Sequence, residues 1–176
     1  MDMPNEAQRR ISQDQVAWLT TITDRGVPAP NPVWFVPDGD DLVVFSTPHA
    51  RKVRNIEQRP TVTLHFNSDP DGGDVVVITG EAAIARGQRP SALGAYLDKY
   101  ETSITGPLGM TVDEIDRTYH TEIRHPTDPR PTDGHERLTS LAEPASISHQ
   151  HRNESTPVEI DRPPGVPANR ALALVN

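Results

Sequence analysis

Between Val16 and Ser46 the chain passes three times through β-branched and aromatic residues, and after each of the first two passes it meets a short turn-forming segment. Val16 to Thr23 is followed by Asp24-Arg25-Gly26-Val27-Pro28, and Asn31 to Val36 by Pro37-Asp38-Gly39-Asp40-Asp41; Leu42 to Ser46 closes the series. Side chains branched at Cβ fit a pleated strand, and Gly, Pro and Asp supply the dihedrals of tight turns, so this stretch predicts an antiparallel meander. Pro48 stops the third strand. From Ala50 the apolar Val53 and Ile56 fall three apart among charged and polar residues, which marks one short amphipathic helix ended by Pro60. Thr61 to Phe66 alternates as a strand, Asp69 to Gly73 turns, and Asp74 to Arg86 reads as one long strand whose Gly80 marks a bulge or a close backbone approach.

Helices flank this set of five strands. Asn5 to Gln15 is a polar lead-in helix; Ala92, Leu93, Tyr96, Leu97 and Tyr100 share a second helix face; Thr111 to Glu114 is a capping box that opens a third segment with Val112, Ile115 and Tyr119 on one side. Thr121 to Arg124 starts a sixth strand. At His125 the pattern stops: Pro126, Pro129, Pro131, Pro144, Pro157, Pro163, Pro164 and Pro167 follow with no sustained apolar period. The expected organisation is therefore a folded domain over 1–124 and a disordered, Pro-rich tail over 125–176. Proline donates nothing to a ladder, so the sixth strand is expected to be truncated or confined to an edge.

Composition narrows the function classes. The 18 prolines and a mean hydropathy of -0.58 leave material for one modest core. With no cysteine, thiolate zinc sites, iron–sulfur clusters, disulfides and cysteine nucleophiles are excluded, which fits a reducing cytoplasm. The start carries no basic-then-apolar leader and no apolar run is long enough to cross a bilayer, so a soluble, cytoplasmic protein is expected. A net charge of -8 opposes nucleic-acid and membrane partners, and the one compact basic cluster is Arg51-Lys52-Val53-Arg54.

That cluster opens the short helix after the third strand. Lys52 and Asn55 lie three apart and Arg51 and Asn55 four apart, so their side chains can converge near the helix start, with the hydroxyls of Ser46 and Thr47 just upstream. A helix N-terminus adds free amides and a positive dipole end, and the whole segment can hold a phosphate; without a ligand it is a solvated basic face. Trp34 and Phe35 point to opposite sides of their strand, so one enters the core and the other can line a ring pocket. His49 and His65 lack any adjacent nucleophile, His149 and His151 lack a third ligand, and Asp69, Asp71 and Asp74 lack calcium-loop spacing, so no metal site is expected. Dinucleotide, Walker, nucleophile-elbow and zincin motifs are all missing, which leaves chemistry carried by a cofactor, or binding alone.

Read in order, Trp18-Leu19-Thr20-Thr21, Pro32-Val33-Trp34-Phe35, Phe45-Ser46-Thr47, Arg51-Lys52-Val53-Arg54-Asn55, Val62-Thr63-Leu64-His65 and Val77-Ile78-Thr79-Gly80-Glu81-Ala82 resemble the pyridoxamine 5′-phosphate oxidase-like split-barrel superfamily. More narrowly, they resemble its actinobacterial flavin/deazaflavin branch, which uses coenzyme F420, and Leu97-Asp98-Lys99-Tyr100 and Leu108-Gly109-Met110-Thr111 fit the same branch. The resemblance implies a mainly β fold, a six-stranded antiparallel split β-barrel with a few short helices, assembled as a homodimer with composite cofactor sites at the interface. By position, Ser46, Thr47, Arg51, Lys52 and Asn55 would hold the phosphate, Pro32, Val33 and Trp34 would lie along the ring system, and Thr79 and Gly80 of the other subunit would approach the same ring. It further implies hydride transfer between the deazaflavin and a small conjugated or heteroaromatic substrate, the cofactor supplying the chemistry. Alternatives are an FMN-dependent enzyme of the same superfamily and a non-catalytic dimeric cofactor or haem carrier.

Overall fold

The computed structural model describes residues 5–127. Its strands are β1 (Ala17–Ile22), β2 (Pro28–Val33), β3 (Val36–Asp38), β4 (Asp41–Ser46), β5 (Thr61–His65), β6 (Val77–Glu81), β7 (Ala83–Arg86) and β8 (Thr121–Pro126). The helices are α1 (Asn5–Gln13), α2 (Arg51–Gln58), α3 (Gly94–Thr105) and α4 (Val112–Thr118), with a 3₁₀ turn at Pro90–Ala92. The strands form two four-stranded sheets, ordered β2-β1-β5-β6 and β3-β4-β8-β7, with every pair antiparallel.

Two of the six expected strands are each divided between the sheets, so the described residues form two sheets where one six-stranded barrel was expected. The return strand leaves the first sheet after Val33 and enters the second at Val36, and the long later strand crosses from β6 to β7 at Ala82. Twisted sheets cannot follow a small core indefinitely, and a strand that is too long bends from one sheet into the other. The second corner is pinned: Ala82 is buried and its amide donates to the Pro60 carbonyl at 2.8 Å.

β8 corrects the expectation of a truncated or edge strand. It lies inside its sheet, between β4 and β7, and runs on through His125 and Pro126, opposite Leu42 and Asp41. Pairing with β7 ends at Arg124, so beyond that residue β8 has β4 alone as a ladder partner and the missing proline donor leaves no gap on the other side. The chain is then tied once more, by the Thr127 amide donating to the Asp40 carbonyl at 2.8 Å. His125 and Pro126 therefore belong to the folded domain; residues 128–176, where the rest of the expected tail falls, lie outside the described residues.

Alternation along the strands builds two cores. Leu19, Val33, Phe35, Leu42, Val44, Val62, Leu64, Ile78 and Ile123 from both sheets pack together, closed by Ala7 and Ile11 of α1 and Val53 and Ile56 of α2. On the other face of the second sheet, Val36, Val43 and Phe45 pack beneath Tyr96, Tyr100, Ile104, Ile115 and Tyr119 of the late helical segment. The outer face of the first sheet shows rows of uncharged residues: Pro32, Trp18, His65 and Val77, then Pro30, Thr20, Thr63 and Thr79. These side chains are half-buried or exposed.

Candidate functional site

The segment leading from β4 into α2 is the candidate phosphate site. Ser46 ends β4 fully buried, and its hydroxyl has no hydrogen-bond partner among the described residues. Its ladder partner Thr121 is equally buried with an equally unpartnered hydroxyl. A buried hydroxyl without a partner costs free energy, so this pair marks a place where a polar atom would be welcome. The chain then turns tightly, with the Ala50 amide donating to the Thr47 carbonyl at 3.2 Å, and α2 begins with Ala50 as a cap residue whose side chain accepts nothing. The start of α2, with its positive dipole end, is therefore left without a side-chain cap.

The helix divides the expected cationic residues. Arg51 is exposed, whereas Lys52, at 1% exposure, lies on the buried side with Val53 and Ile56. Asn55 donates from Nδ2 to the Thr21 hydroxyl at 2.9 Å and so ties α2 to β1. The structure thus gathers Ser46, Thr47 and the start of α2, keeps Lys52 on the inner side of the helix, and sets Arg51 apart on the outer side.

The expected ring-facing residues are also split. Pro32 stays on the outer face of the first sheet, but Val33 is buried in the main core and Trp34 stacks on Tyr100, with centroids 4.5 Å apart and planes 1° from parallel. Thr79 is on the outer face, its hydroxyl 3.3 Å from that of Thr63. Gly80 faces inward: a Cβ there would lie 3.3 Å from His125 Cε1 and 3.3 Å from Pro126 Cγ. The close backbone approach expected at Gly80 is thus the closure of β6 over the end of β8, and burial holds the His125 imidazole below its usual basicity.

Sequence reasoning missed the group that fixes Trp34. From α3, the Tyr100 hydroxyl accepts the Phe35 amide at 2.9 Å and lies 2.8 Å from the carbonyls of Gln15 and Phe35. Lys99 beside it donates to the carbonyls of Phe35 at 3.2 Å and Ile11 at 3.4 Å, with its ammonium 3.9 Å above the Phe35 ring. Burial pulls the Lys99 ammonium down to about 8, with Asp14 acting in the opposite direction. Both residues sit more than sixty positions from Phe35, so no local pattern announces them. Elsewhere His49 is exposed, and His65, lowered in basicity by partial burial, lies beside Trp18 with rings 6.4 Å apart. His149 and His151 fall outside the described residues.

Among the described residues no helix is long and apolar enough to cross a membrane. Among solved structures, the fold is similar to the conserved hypothetical protein Rv2991 of Mycobacterium tuberculosis, at 18% identity and a TM-score of 0.54 over 72% of this chain and 81% of that one. It is similar to an F420 reductase at 24% identity and a TM-score of 0.53, over 73% of this chain and 97% of the other. A protein related to general stress protein 26, of the pyridoxinephosphate oxidase family of Clostridium acetobutylicum, aligns at 13% identity and a TM-score of 0.52, covering 69% and 81% of the two chains. At these identities the likeness speaks for the fold alone. No curated protein matches the chain. Residues 3–118 match the family described as pyridoxamine 5′-phosphate oxidase, and the two-sheet β architecture agrees with that match, so the chain belongs to the pyridoxamine 5′-phosphate oxidase family.

Proposed function

We propose that the protein is a cytoplasmic oxidoreductase that binds coenzyme F420 and transfers a hydride between the deazaflavin and a small conjugated or heteroaromatic substrate. The observation that carries this reading is the unpartnered, fully buried Ser46 hydroxyl at the mouth of the uncapped helix α2. Phosphate oxygens supply the acceptors that this arrangement lacks: the amides at the start of α2 and the Ser46 hydroxyl donate, and Arg51 balances the charge from the outer side. Asn55, through its bond to Thr21, sets the position of the helix against β1, and Lys52 on the buried side adds positive charge behind the phosphate. The deazaflavin, when bound, supplies the hydride chemistry, and the protein's part is to hold and orient it. Membership of the family and the order of motifs along the chain support the deazaflavin reading; FMN offers the same phosphate to the same donors.

The reading extends to a homodimer in which a second copy covers the outer face of the sheet β2-β1-β5-β6. That face carries two uncharged rows across all four strands, a surface suited to burial against its own symmetry mate.

Fluorescence titration with coenzyme F420 and with FMN tests the site. The wild-type chain should bind F420 saturably, and Lys52→Ala with Asn55→Ala should weaken binding. The exposed Arg51→Ala, which leaves the core untouched, should weaken it by about tenfold, the scale of one charge-assisted hydrogen bond. Preferential binding of FMN would reassign the cofactor. Binding of neither would reject the proposal.

A further inference from the structure

We propose that the cleft where β7 leaves and β8 enters the second sheet seats a small ligand through a phosphate or carboxylate group. The cleft has a volume of about 350 Å³ and is lined by Gly87, Arg89, Asp113, Asp116, Arg117 and His120. None of these residues belongs to the Ser46–Asn55 segment, so the seat stands apart from the cofactor reading. A volume of this size is at the lower end for small-molecule sites.

Three observations give the cleft its chemistry. Its base is fixed by the Gly87 amide donating to the His120 carbonyl at 2.8 Å, and Gly87 turns there at φ 74°, a conformation that costs glycine little. Second, the imidazole is oriented: His120 Nδ1 lies 3.0 Å from the Arg117 carbonyl, which can only accept, so Nδ1 carries the proton and Nε2 of the neutral ring is an acceptor for an O–H of the ligand, such as that of a hydrogen phosphate. Third, the guanidinium groups of Arg89 and Arg117 make no hydrogen bond or ion pair with another described residue. Arg9, Arg10, Arg86 and Arg124 are all paired with carboxylates, and Arg25, Arg51 and Arg54, which are not, do not line this cleft. In a chain of net charge -8, two guanidinium groups without an ion pair on one cleft favour an anion, with Arg117 also lying in the field of Glu114, whose carboxyl it helps to hold below its usual range. The position of Arg117 in the last turn of α4 accounts for its charge through the helix dipole; that explanation does not reach Arg89.

The acidic residues limit the ligand without cancelling the seat. Asp116 is engaged, its two oxygens accepting the amide and hydroxyl of Ser91. Asp113, four residues before Arg117, has no ion pair with it among the described residues and repels any anion that enters. The seat therefore suits one phosphate or carboxylate group and disfavours polyanions.

The test is an amide NMR titration of the full chain with inorganic phosphate and, separately, with succinate. Saturable shifts at Gly87 and His120 are expected with at least one probe, phosphate alone indicating a phosphate ester and succinate alone a carboxylate. Arg89→Gln with Arg117→Gln, both exposed, should weaken binding by about tenfold or more, Asp113→Asn should strengthen it, and neither change should alter F420 affinity. Shifts confined to Thr47–Lys52, titrations that do not saturate, or equal affinity in the double variant would overturn the proposal.

Discussion

Tyr100 is fully buried, yet its hydroxyl serves both polar groups of the Phe35 backbone and reaches the Gln15 carbonyl. Burial raises its proton affinity far above that of a free tyrosine, which keeps it a donor across the physiological range. Tyr100→Phe strips the Phe35 amide of its partner at a buried position, and urea denaturation should show a loss of about 1–3 kcal/mol with the fold retained. At this scale the sequence is half legible. The apolar spacing that placed Tyr96 and Tyr100 on one helix face is local, and the structure buries both. The hydroxyl's partners, at Gln15 and Phe35, lie more than sixty residues earlier and leave no local trace. Gly80 behaves alike: its small size was readable as a close approach, while the groups approached, His125 and Pro126, come from a strand more than forty residues later.

At the level of elements, α3 locks α1 and the β2-to-β3 crossing through Lys99. Its folded-state proton affinity, about 8, lies below the ordinary lysine value near 10.4. Between those values the unfolded chain binds the extra proton and the native chain does not, so this group's contribution to stability rises with pH across that window and its penalty is complete below it. Comparing unfolding midpoints of the wild type and Lys99→Met from pH 7 to pH 10 isolates the effect, because other titrating groups cancel. The wild type should gain on the variant as pH rises; a difference that stays flat would show that Lys99 keeps its ordinary proton affinity. Helix positions were legible from apolar spacing, and the Thr111–Glu114 capping box is present with both of its reciprocal bonds. The strand breaks at Trp34-Phe35 and Ala82 were not, because Val33-Trp34-Phe35-Val36 is uniformly strand-like and the bend is imposed by twist over a small core. The different burial of Arg51 and Lys52 was not legible for a related reason: adjacent residues point about a hundred degrees apart on a helix, and tertiary packing chose which side went in.

For the molecule as a whole, the mainly β character, the family and the position of the Ser46–Asn55 segment after the third sequence strand were legible, because each follows from the residues and the order of motifs along the chain. The end of the domain was not: prolines after Arg124 suggested an early stop, but β8 continues past them as far as β4 can pair with it. The uncovered first sheet leads to a prediction about assembly. Sedimentation equilibrium should find a dimer, and Thr63→Arg with Thr79→Arg, which places charges in the middle of the uncharged face, should shift it to monomer while circular dichroism stays unchanged. A wild-type monomer at high concentration would remove the homodimer from the proposed function. The central claim is that this two-sheet fold holds a phosphate-bearing deazaflavin at the start of α2, and the most direct measurement is the absorption spectrum and mass of the small molecule that co-purifies with the full chain from a host making both F420 and FMN. A deazaflavin is expected, recovered in smaller amount from Arg51→Ala; a haem, or protein carrying no chromophore and acquiring none on incubation with either cofactor, would contradict the claim.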